Sequence, residues 1–139
     1  MTEDGLAADA DERLINEDEC LYRQVHPSWV VDGVPSSQAF KPTKKDQGML
    51  SISLARKTTA EGAYLHHTRK LGQASAGTWA VTVGETARAA LNSYSQPLAD
   101  SPAHGFIDFR ELSRMQAETK AKLLLGSARA RGRLHPPPG

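Results

Sequence analysis

Hydroxyl, amide and ammonium groups are concentrated in the connector, the irregular stretch of residues 26–48. Serines and a glutamine follow a turn there, and lysines come directly after them. Such groups, brought together, are what a phosphate, carboxylate or sulfate ligand needs. The alternative is that the serines satisfy turn backbone and the lysines are solvated. The predicted ligand-binding residues are Ser36, Ser37, Gln38, Lys41 and Thr43.

Four further residues could perform general acid–base chemistry if the strand ends that carry them converge. Histidine is the usual proton carrier near neutral pH. Each residue also has a local interpretation, such as a histidine bonded to nearby backbone or a glutamate favouring the dipole of a helix start. The predicted catalytic candidates are Arg23 in the first strand, His26 at its end, Glu85 after the strongest strand and His104 at the start of the last.

The histidine pair and the single cysteine do not indicate a metal site. His66 and His67 are adjacent, and adjacent helix positions point about 100° apart, so one ion cannot easily take both. His67 falls on the apolar side of its predicted helix and is expected in the core. Cys20 stands alone, which excludes an intrachain disulfide and a thiolate zinc cage. The sequence therefore implies no metal and no cofactor.

Hydrophobic periodicity predicts an α+β fold. Leu50, Ile52 and Leu54 alternate with serines, as in a strand with one buried face. Thr58 and Glu61 have the spacing of a capping box and predict a helix start. The predicted strands cover 20–26, 49–55, 77–83 and 105–109, and the predicted helices 58–72, 85–92 and 109–132. The order β-β-α-β-α-β-α predicts a small mixed sheet of about four strands with three helices.

The connector is expected to be ordered. A structureless connection of about 20 residues is uncommon in a compact domain and usually means function or disorder. Burying each of its large apolar side chains would contribute about 1.5–3 kcal/mol, which favours order. We therefore expect the connector to fold back onto the sheet. The side chains expected to be buried are Trp29, Val30, Val31, Val34 and Phe40.

The terminal helix carries two predicted stripes. The inner one is expected to contain Leu112, Met115, Thr119 and Leu123. The other is basic and groups side chains within an arc of about 100°, at 3.6 residues per turn. It consists of Arg114, Lys122, Arg129 and Arg133.

Charge is distributed unevenly along the chain. Residues 1–19 carry eight acids against one arginine, a net of −7, so the rest carries +8 within the total of +1. This composition predicts a disordered acidic leader, residues 1–19, before a single α+β domain, 20–134, and a frayed tail, 135–139. We expect a cytoplasmic protein, because the start does not resemble a secretory signal and no apolar run approaches the roughly 18 residues of a membrane span.

Two resemblances bear on function. The segments "LYRQVHPSWVVDGVPSSQAFKPTKKDQGMLS", "AVTVGE" and "PAHGFIDF" resemble a family of short, uncharacterised bacterial proteins, a resemblance that implies no particular activity. A looser similarity is to ADP-ribosyltransferase-type folds, in one class of which an arginine, a strand serine and a later glutamate handle NAD. Arg23, Ser51 or Ser53, and Glu85 occur here in that order. That class has Ser-Thr-Ser and Glu-x-Glu where this chain has Ser-Ile-Ser and one glutamate, and the chain is short for such an enzyme.

Three functions are compatible with these patterns. The first is a small binding or accessory module whose connector holds a phosphate-bearing ligand or the acidic segment of a partner protein. The second is an enzyme acting on a nucleotide-like substrate, which requires Arg23, His26, Ser37, Glu85 or His104 to line one pocket. The third is nucleic-acid binding through the basic stripe, which the near-neutral charge and the aromatic content of 6% disfavour. No membrane partner is expected.

Overall fold

The terminal helix, two shorter helices and an antiparallel sheet make up the fold in a computed structural model, which describes residues 11–137. The helices are α1 (Ala60–Leu65), α2 (Val83–Arg88) and α3 (Arg114–Arg131). The main sheet contains β1 (Glu12–Arg13), β2 (Cys20–Val25), β5 (Met49–Leu54), β6 (Gly77–Thr82), β7 (Ser93–Ser95) and β8 (His104–Asp108). Within the connector, β3 (Val30–Val31) and β4 (Val34–Pro35) form a separate hairpin.

The α+β class and the three helices are confirmed, whereas the predicted sheet is wrong in size. Within the described part of the chain it has six strands, in the order β1-β7-β8-β5-β2-β6, instead of about four. The two that were missed, β1 and β7, are two and three residues long and too short to show an alternating pattern. Every pairing is antiparallel, so the sheet is not mixed. The strands β5 and β6 do run parallel to each other, but β2 lies between them.

The sheet has an apolar face and a polar face. On the apolar face Leu21, Leu54 and Val81 are fully buried, and α3 packs over them with Leu124 and Ala128. On the polar face the register places Tyr22 opposite Ser53, and Ser53 opposite His104. Helix α1 covers part of this face, where the Thr78 hydroxyl donates to the Ala60 carbonyl. The polar face is therefore partly enclosed.

The inner stripe predicted for the terminal helix is wrong in phase. Met115 and Leu123 are 79% and 55% exposed, and Thr119 is exposed as well. The buried positions of the helix lie one or two residues further along the chain and include Ala121, Leu124 and Ala128. Alanine side chains on the buried side are small, so the helix can approach the sheet closely. The inner side of the helix was hard to predict because three leucines, 123–125, follow one another.

The start of this helix also differs from the prediction. Ser113 and Gln116 form its capping box, so α3 begins at Arg114, later than expected. At the other end the helix stops before Gly132. Arg133 therefore lies beyond it, which removes that residue from the predicted basic stripe.

The connector is packed onto the body at its base and exposed at its tip. Phe40 and Ala39 are fully buried, and Trp29 and Val30 pack against the core. The expected burial of Val31 and Val34 is wrong, since they are 60% and 38% exposed. They flank a two-residue turn in which Asp32 and Gly33 both have positive φ, the conformation that suits a tight hairpin, and this turn lifts both valines away from the sheet.

The folded body extends beyond the predicted limits of 20–134. Glu12–Arg13 pair with β7, and Leu14 is part of the core. The Glu19 carboxylate is buried and accepts hydrogen bonds from the backbone N–H and the Nε of Arg56, both at 3.2 Å. In the expected tail, the carbonyl of His135 accepts from the N–H of Thr78 at 2.6 Å. The first ten residues of the predicted leader and the last two of the tail lie outside the described residues.

Candidate ligand cavity on the polar face of the sheet

A cavity of about 290 Å³ lies on the polar face of the sheet, bounded by β2, β5, the start of β8 and the α1 region. We call it the sheet-face cavity. Its volume is near the lower end of the range of small-molecule sites and corresponds to about ten water molecules at about 30 Å³ each. Ala63, Leu71, Pro102 and Ala103 provide apolar wall. The polar wall includes Arg23, Ser51, Ser53, Lys57 and three histidines, His66, His67 and His104.

The separation of two neighbouring strands opens this cavity. Strands β2 and β5 pair only at Leu21↔Leu54 and Tyr22↔Ser53, whereas β2 pairs with β6 along its whole length. Past Ser53 the two strands diverge, and the side chain of Arg23 fills the gap. Its Nη1 donates to the Ser51 carbonyl at 2.9 Å, and its Nε donates to the Ala39 carbonyl at 2.7 Å. Arg23 therefore joins the sheet to the connector.

Arg23 is an unusual buried cation. Its residue exposure is 9%, and its guanidinium carbon lies 5.4 Å from the centre of the Trp29 ring. Among the described residues no carboxylate approaches it within 4.0 Å. Burial lowers the pKa of Arg23 to about 10, and the charge of Asp46 partly opposes that shift. The guanidinium is therefore still charged at neutral pH, held by two carbonyl groups and an aromatic ring.

The orientation of His104 is determined by its two ring nitrogens. Nδ1 lies 3.1 Å from the Gln96 carbonyl, and Nε2 lies 3.3 Å from the Ser51 hydroxyl. A carbonyl oxygen only accepts, so Nδ1 carries the proton, and the lone pair of Nε2 faces Ser51. Burial lowers the pKa of His104 below its ordinary 6.5, despite the opposing hydrogen bond to Gln96. At neutral pH the ring is therefore uncharged.

The adjacent histidines lie in a widened helical turn. Residues His66–Lys70 form a π-helix directly after α1, a feature common at functional sites. The Nε2 of His66 lies 2.7 Å from the Asp100 carbonyl. His67 is half-buried instead of a core residue as expected, and burial, followed by the charge of Arg23, lowers its pKa. Both side chains line the cavity, and among the described residues no cluster of three or more potential ligands could hold a metal ion.

The charges around the cavity are one-sided. Among the described residues its wall contains two fixed cations, Arg23 and Lys57, and no aspartate or glutamate. The ammonium of Lys57 lies 3.4 Å from the Pro102 carbonyl at the rim. Since this wall also has apolar side chains, it suits a ligand with an apolar body and an anionic group.

Two of the four predicted catalytic residues line this cavity, and two lie elsewhere. Arg23 and His104 are in its wall. His26 is exposed and caps a short turn, its Nδ1 accepting from the N–H of Ser28 at 3.0 Å. Glu85 forms a capping box with Thr82 and a bidentate pair with Arg131, at 3.0 and 2.8 Å. The four residues therefore do not all line this cavity, and the arginine, serine and glutamate expected from the ADP-ribosyltransferase resemblance do not share it.

The predicted connector site has carboxylates beside its polar groups. The Nζ of Lys41 lies 3.5 Å from Glu118, and the Thr43 hydroxyl donates to Asp46 at 2.9 Å. Asp46 also accepts from the N–H of Thr43, which completes a capping box.

The remaining predicted connector ligands are part of the backbone turns. Ser36 donates its N–H to the Trp29 carbonyl at 2.8 Å and precedes the short 3₁₀ helix Ser37–Phe40. Gln38 is exposed and accepts from the N–H of Lys41 through its carbonyl. These contacts use main-chain groups, and the Ser36 hydroxyl makes no capping hydrogen bond, so the connector ligands stay a prediction.

Sequence reasoning missed part of the cavity wall. Lys57 and His66 were not proposed as ligands, and Ser51 and Ser53 entered only through a resemblance. Alternating serines in a strand indicate a face turned away from the core, but the pattern does not show that a helix encloses that face. The proximity of Ser51 to His104 depends on the pairing of β5 with β8, which no local pattern specifies.

Comparisons with known proteins do not identify this chain: no family model matches it, and neither a curated protein nor a solved structure is significantly similar to it. Within residues 11–137, no helix combines the length and the apolar character needed to cross a membrane.

Proposed function

We propose that this protein is a small binding module that holds an anionic ligand with an apolar body in the sheet-face cavity. The observation that carries the proposal is the composition of the wall, which among the described residues has cationic and neutral polar groups without a carboxylate. An anion entering it would meet Lys57 near the rim and hydroxyl and imidazole groups inside. Its apolar part would contact Ala63 and Leu71.

The cavity supports anion binding better than the connector does. In the connector, Lys41 and Thr43 already interact with Glu118 and Asp46, so an anion would have to compete with two carboxylates. In the cavity, Lys57 contacts only a neutral carbonyl among the described residues. A cation without a neighbouring carboxylate gains more favourable electrostatic energy when it binds an anion than a cation that is already paired.

The test uses two fluorescent probes that differ in one group. One is 8-anilinonaphthalene-1-sulfonate, which has an aromatic body and an anionic sulfonate, and the other is N-phenyl-1-naphthylamine, which lacks the sulfonate. We expect Lys57→Glu to weaken binding of the sulfonate probe at least about tenfold, or about 1.4 kcal/mol, because it reverses a charge at the rim. Binding of the neutral probe should stay within about twofold, since the apolar wall is unchanged.

Matched controls separate the cavity from other surfaces. Lys70→Glu makes the same charge change on an exposed residue of the adjacent π-helix outside the cavity wall, and it should bind both probes as the wild type does. Near-UV circular dichroism must show native packing, because loosened proteins also bind the sulfonate probe. Equal binding of that probe by Lys57→Glu and wild type would refute the proposal. So would a loss confined to the double variant Lys41→Glu with Lys44→Glu, which would return the site to the connector.

A further inference from the structure

Ser51 and His104 have the arrangement of a nucleophile and its base. The Ser51 hydroxyl lies 3.3 Å from the Nε2 of His104, and the opposite nitrogen of the ring is held by the Gln96 carbonyl at 3.1 Å. A nucleophile next to a base, with the base oriented by a third group, is the general signature of covalent catalysis by serine. Both side chains face the sheet-face cavity.

The two residues are held by different elements. His104 is fixed through its own backbone, since its N–H donates to the Ser101 carbonyl and its carbonyl accepts from the N–H of Gln96. The carbonyl of Ser51 accepts from Arg23, the buried cation at the strand gap. In the register of the sheet, Ser53 stands directly opposite His104, yet the imidazole reaches diagonally to Ser51. This side-chain contact is not needed for strand pairing, because the backbones of β5 and β8 are already paired.

We propose that Ser51 and His104 act as a nucleophile–base pair that cleaves small carboxylic esters seated in the sheet-face cavity. This proposal rests on the proposed binding function, because the substrate would bind in the same cavity. In the first step, the Ser51 oxygen forms a bond to the acyl carbon as the carbonyl π pair moves to the carbonyl oxygen, and the hydroxyl proton passes to the Nε2 of His104. The carbonyl then re-forms as the bond from the acyl carbon to the leaving oxygen breaks, and that oxygen takes the proton from Nε2.

Water completes the cycle. It attacks the acyl group on Ser51 and gives one proton to His104, that proton returns to the serine oxygen as the bond to the acyl carbon breaks, and the product leaves as a carboxylic acid that loses its remaining proton to solvent. The Gln96 carbonyl orients the imidazole but has no full charge to stabilise the imidazolium that forms in each step. We therefore expect slow turnover and an acyl group that stays on Ser51 long enough to be detected by mass.

The experiment combines labelling with an ester assay. A fluorophosphonate, which transfers its phosphoryl group to an activated serine and releases fluoride, should label the wild type once, and peptide mapping should place the label on Ser51. With p-nitrophenyl acetate we expect a burst of up to one p-nitrophenolate per protein, with a rate that rises as His104 becomes neutral. Ser51→Ala, on an exposed position, should fold normally and lose both. His104→Asn should slow both at least about 100-fold.

Ser36→Ala is the control, since it removes a serine hydroxyl from a connector residue outside the cavity wall. It should still be labelled at Ser51. Labelling of wild type elsewhere than Ser51, or equal rates for Ser51→Ala and wild type, would overturn the proposal. Failure here is separable from failure of the binding proposal: a wild-type protein that is not labelled at Ser51 but still binds 8-anilinonaphthalene-1-sulfonate in a Lys57-dependent way would contradict only the ester cleavage, and losing the dependence on Lys57 alone would contradict only the binding function.

Discussion

Arg23 and Ser51 are joined across the gap between two neighbouring strands, with the Nη1 of the arginine 2.9 Å from the carbonyl of the serine. The same guanidinium holds the Ala39 carbonyl of the connector at 2.7 Å. One side chain therefore replaces strand pairing where β2 and β5 separate, and attaches the connector at that point. The sheet-face cavity exists because this gap is bridged instead of closed.

Replacing this arginine should destabilise the fold. Arg23→Met keeps the apolar stem but leaves two carbonyl groups without their donor, and hydrogen bonds from a charged group are worth about 1.5–3 kcal/mol each. Relief of the cost of burying a charge offsets part of that loss. We expect the free energy of unfolding in urea to fall by about 2–3 kcal/mol. Arg23→Lys should lose about as much, because an ammonium cannot span both acceptors. A methionine variant as stable as the wild type would show that the buried charge is a net cost.

The base of the connector should contribute far more stability than its tip. Phe40 is fully buried, so Phe40→Ala is expected to lower the free energy of unfolding by about 3–5 kcal/mol. Val31→Ala truncates an apolar residue of the same connector that is 60% exposed. This variant should change the free energy of unfolding by less than about 0.5 kcal/mol. Chemical denaturation of both variants measures the difference. Similar, small losses for the two would mean that the connector is not packed onto the body.

Adjacent leucines in α3 provide an equally direct comparison. Leu124 is buried against the sheet and Leu123 is 55% exposed. We expect Leu124→Ala to cost about 2–5 kcal/mol and Leu123→Ala less than about 0.5 kcal/mol, beyond any small change in helix propensity. Thermal unfolding of the pair determines the phase of the helix. The reverse order would restore the inner stripe predicted from the sequence.

Glu85 and Arg131 connect α2 to the terminal helix. Glu85→Ala removes both the bidentate ion pair and the capping interaction with Thr82, and should cost about 1–2 kcal/mol. Glu85→Gln can still cap the helix and should cost less. A double-mutant cycle with Arg131→Met, read from urea unfolding, should give a coupling energy of about 0.5–1 kcal/mol. Strict additivity would mean that the pair contributes nothing.

This pair also predicts a pH dependence. The hydrogen bond from Arg131 lowers the pKa of Glu85 below its ordinary 4.5 in the folded protein. The stabilisation is therefore present above about pH 4.5 and is lost as the pH falls through the lower folded value. The difference between wild type and Glu85→Gln should accordingly shrink below pH 4.5.

The cavity histidines act in a higher pH range. Burial lowers the pKa of His104 and of His67 below the ordinary 6.5, so the unfolded chain takes up protons first on acidification. Stability should be constant above about pH 7 and should fall as the pH drops below about 6.5. His104→Asn should reduce the slope of the unfolding free energy against pH below about pH 6.5, and the remaining slope should come from His67. An unchanged slope in the variant would contradict the burial of this imidazole.

Local patterns predicted several elements well. The alternation of Leu50, Ile52 and Leu54 with serines identified β5 and its buried face, and all three leucine and isoleucine side chains are buried. For the first helix, the capping box predicted from Thr58 and Glu61 located the start to within one position, since Thr59 is the residue that caps α1. These signals act over a few residues, so the sequence is enough to show them.

Other features could not be predicted because they depend on partners distant in the chain. Glu85 interacts with Arg131, 46 residues away, and Arg23 with Ser51, 28 residues away. Glu85 and Arg23 were candidates because of their chemistry, but a local sequence pattern does not show which distant residue each of them contacts. In the sequence, the polar side chains of the cavity wall look like ordinary surface residues. Only the packing of α1 and residues 101–104 around them encloses the cavity.

By itself, the sequence determined the class of the fold, the order of its three helices and its four longer strands, and the apolar face of β5, since periodicity and caps are properties of neighbouring residues. Only the tertiary structure decided that β2 and β5 separate after two pairs, that Arg23 spans the gap, and that Ser51 and His104 meet above it. The reason is physical: local propensities determine backbone conformation within a few residues, whereas the register between strands is selected by the packing of the whole core.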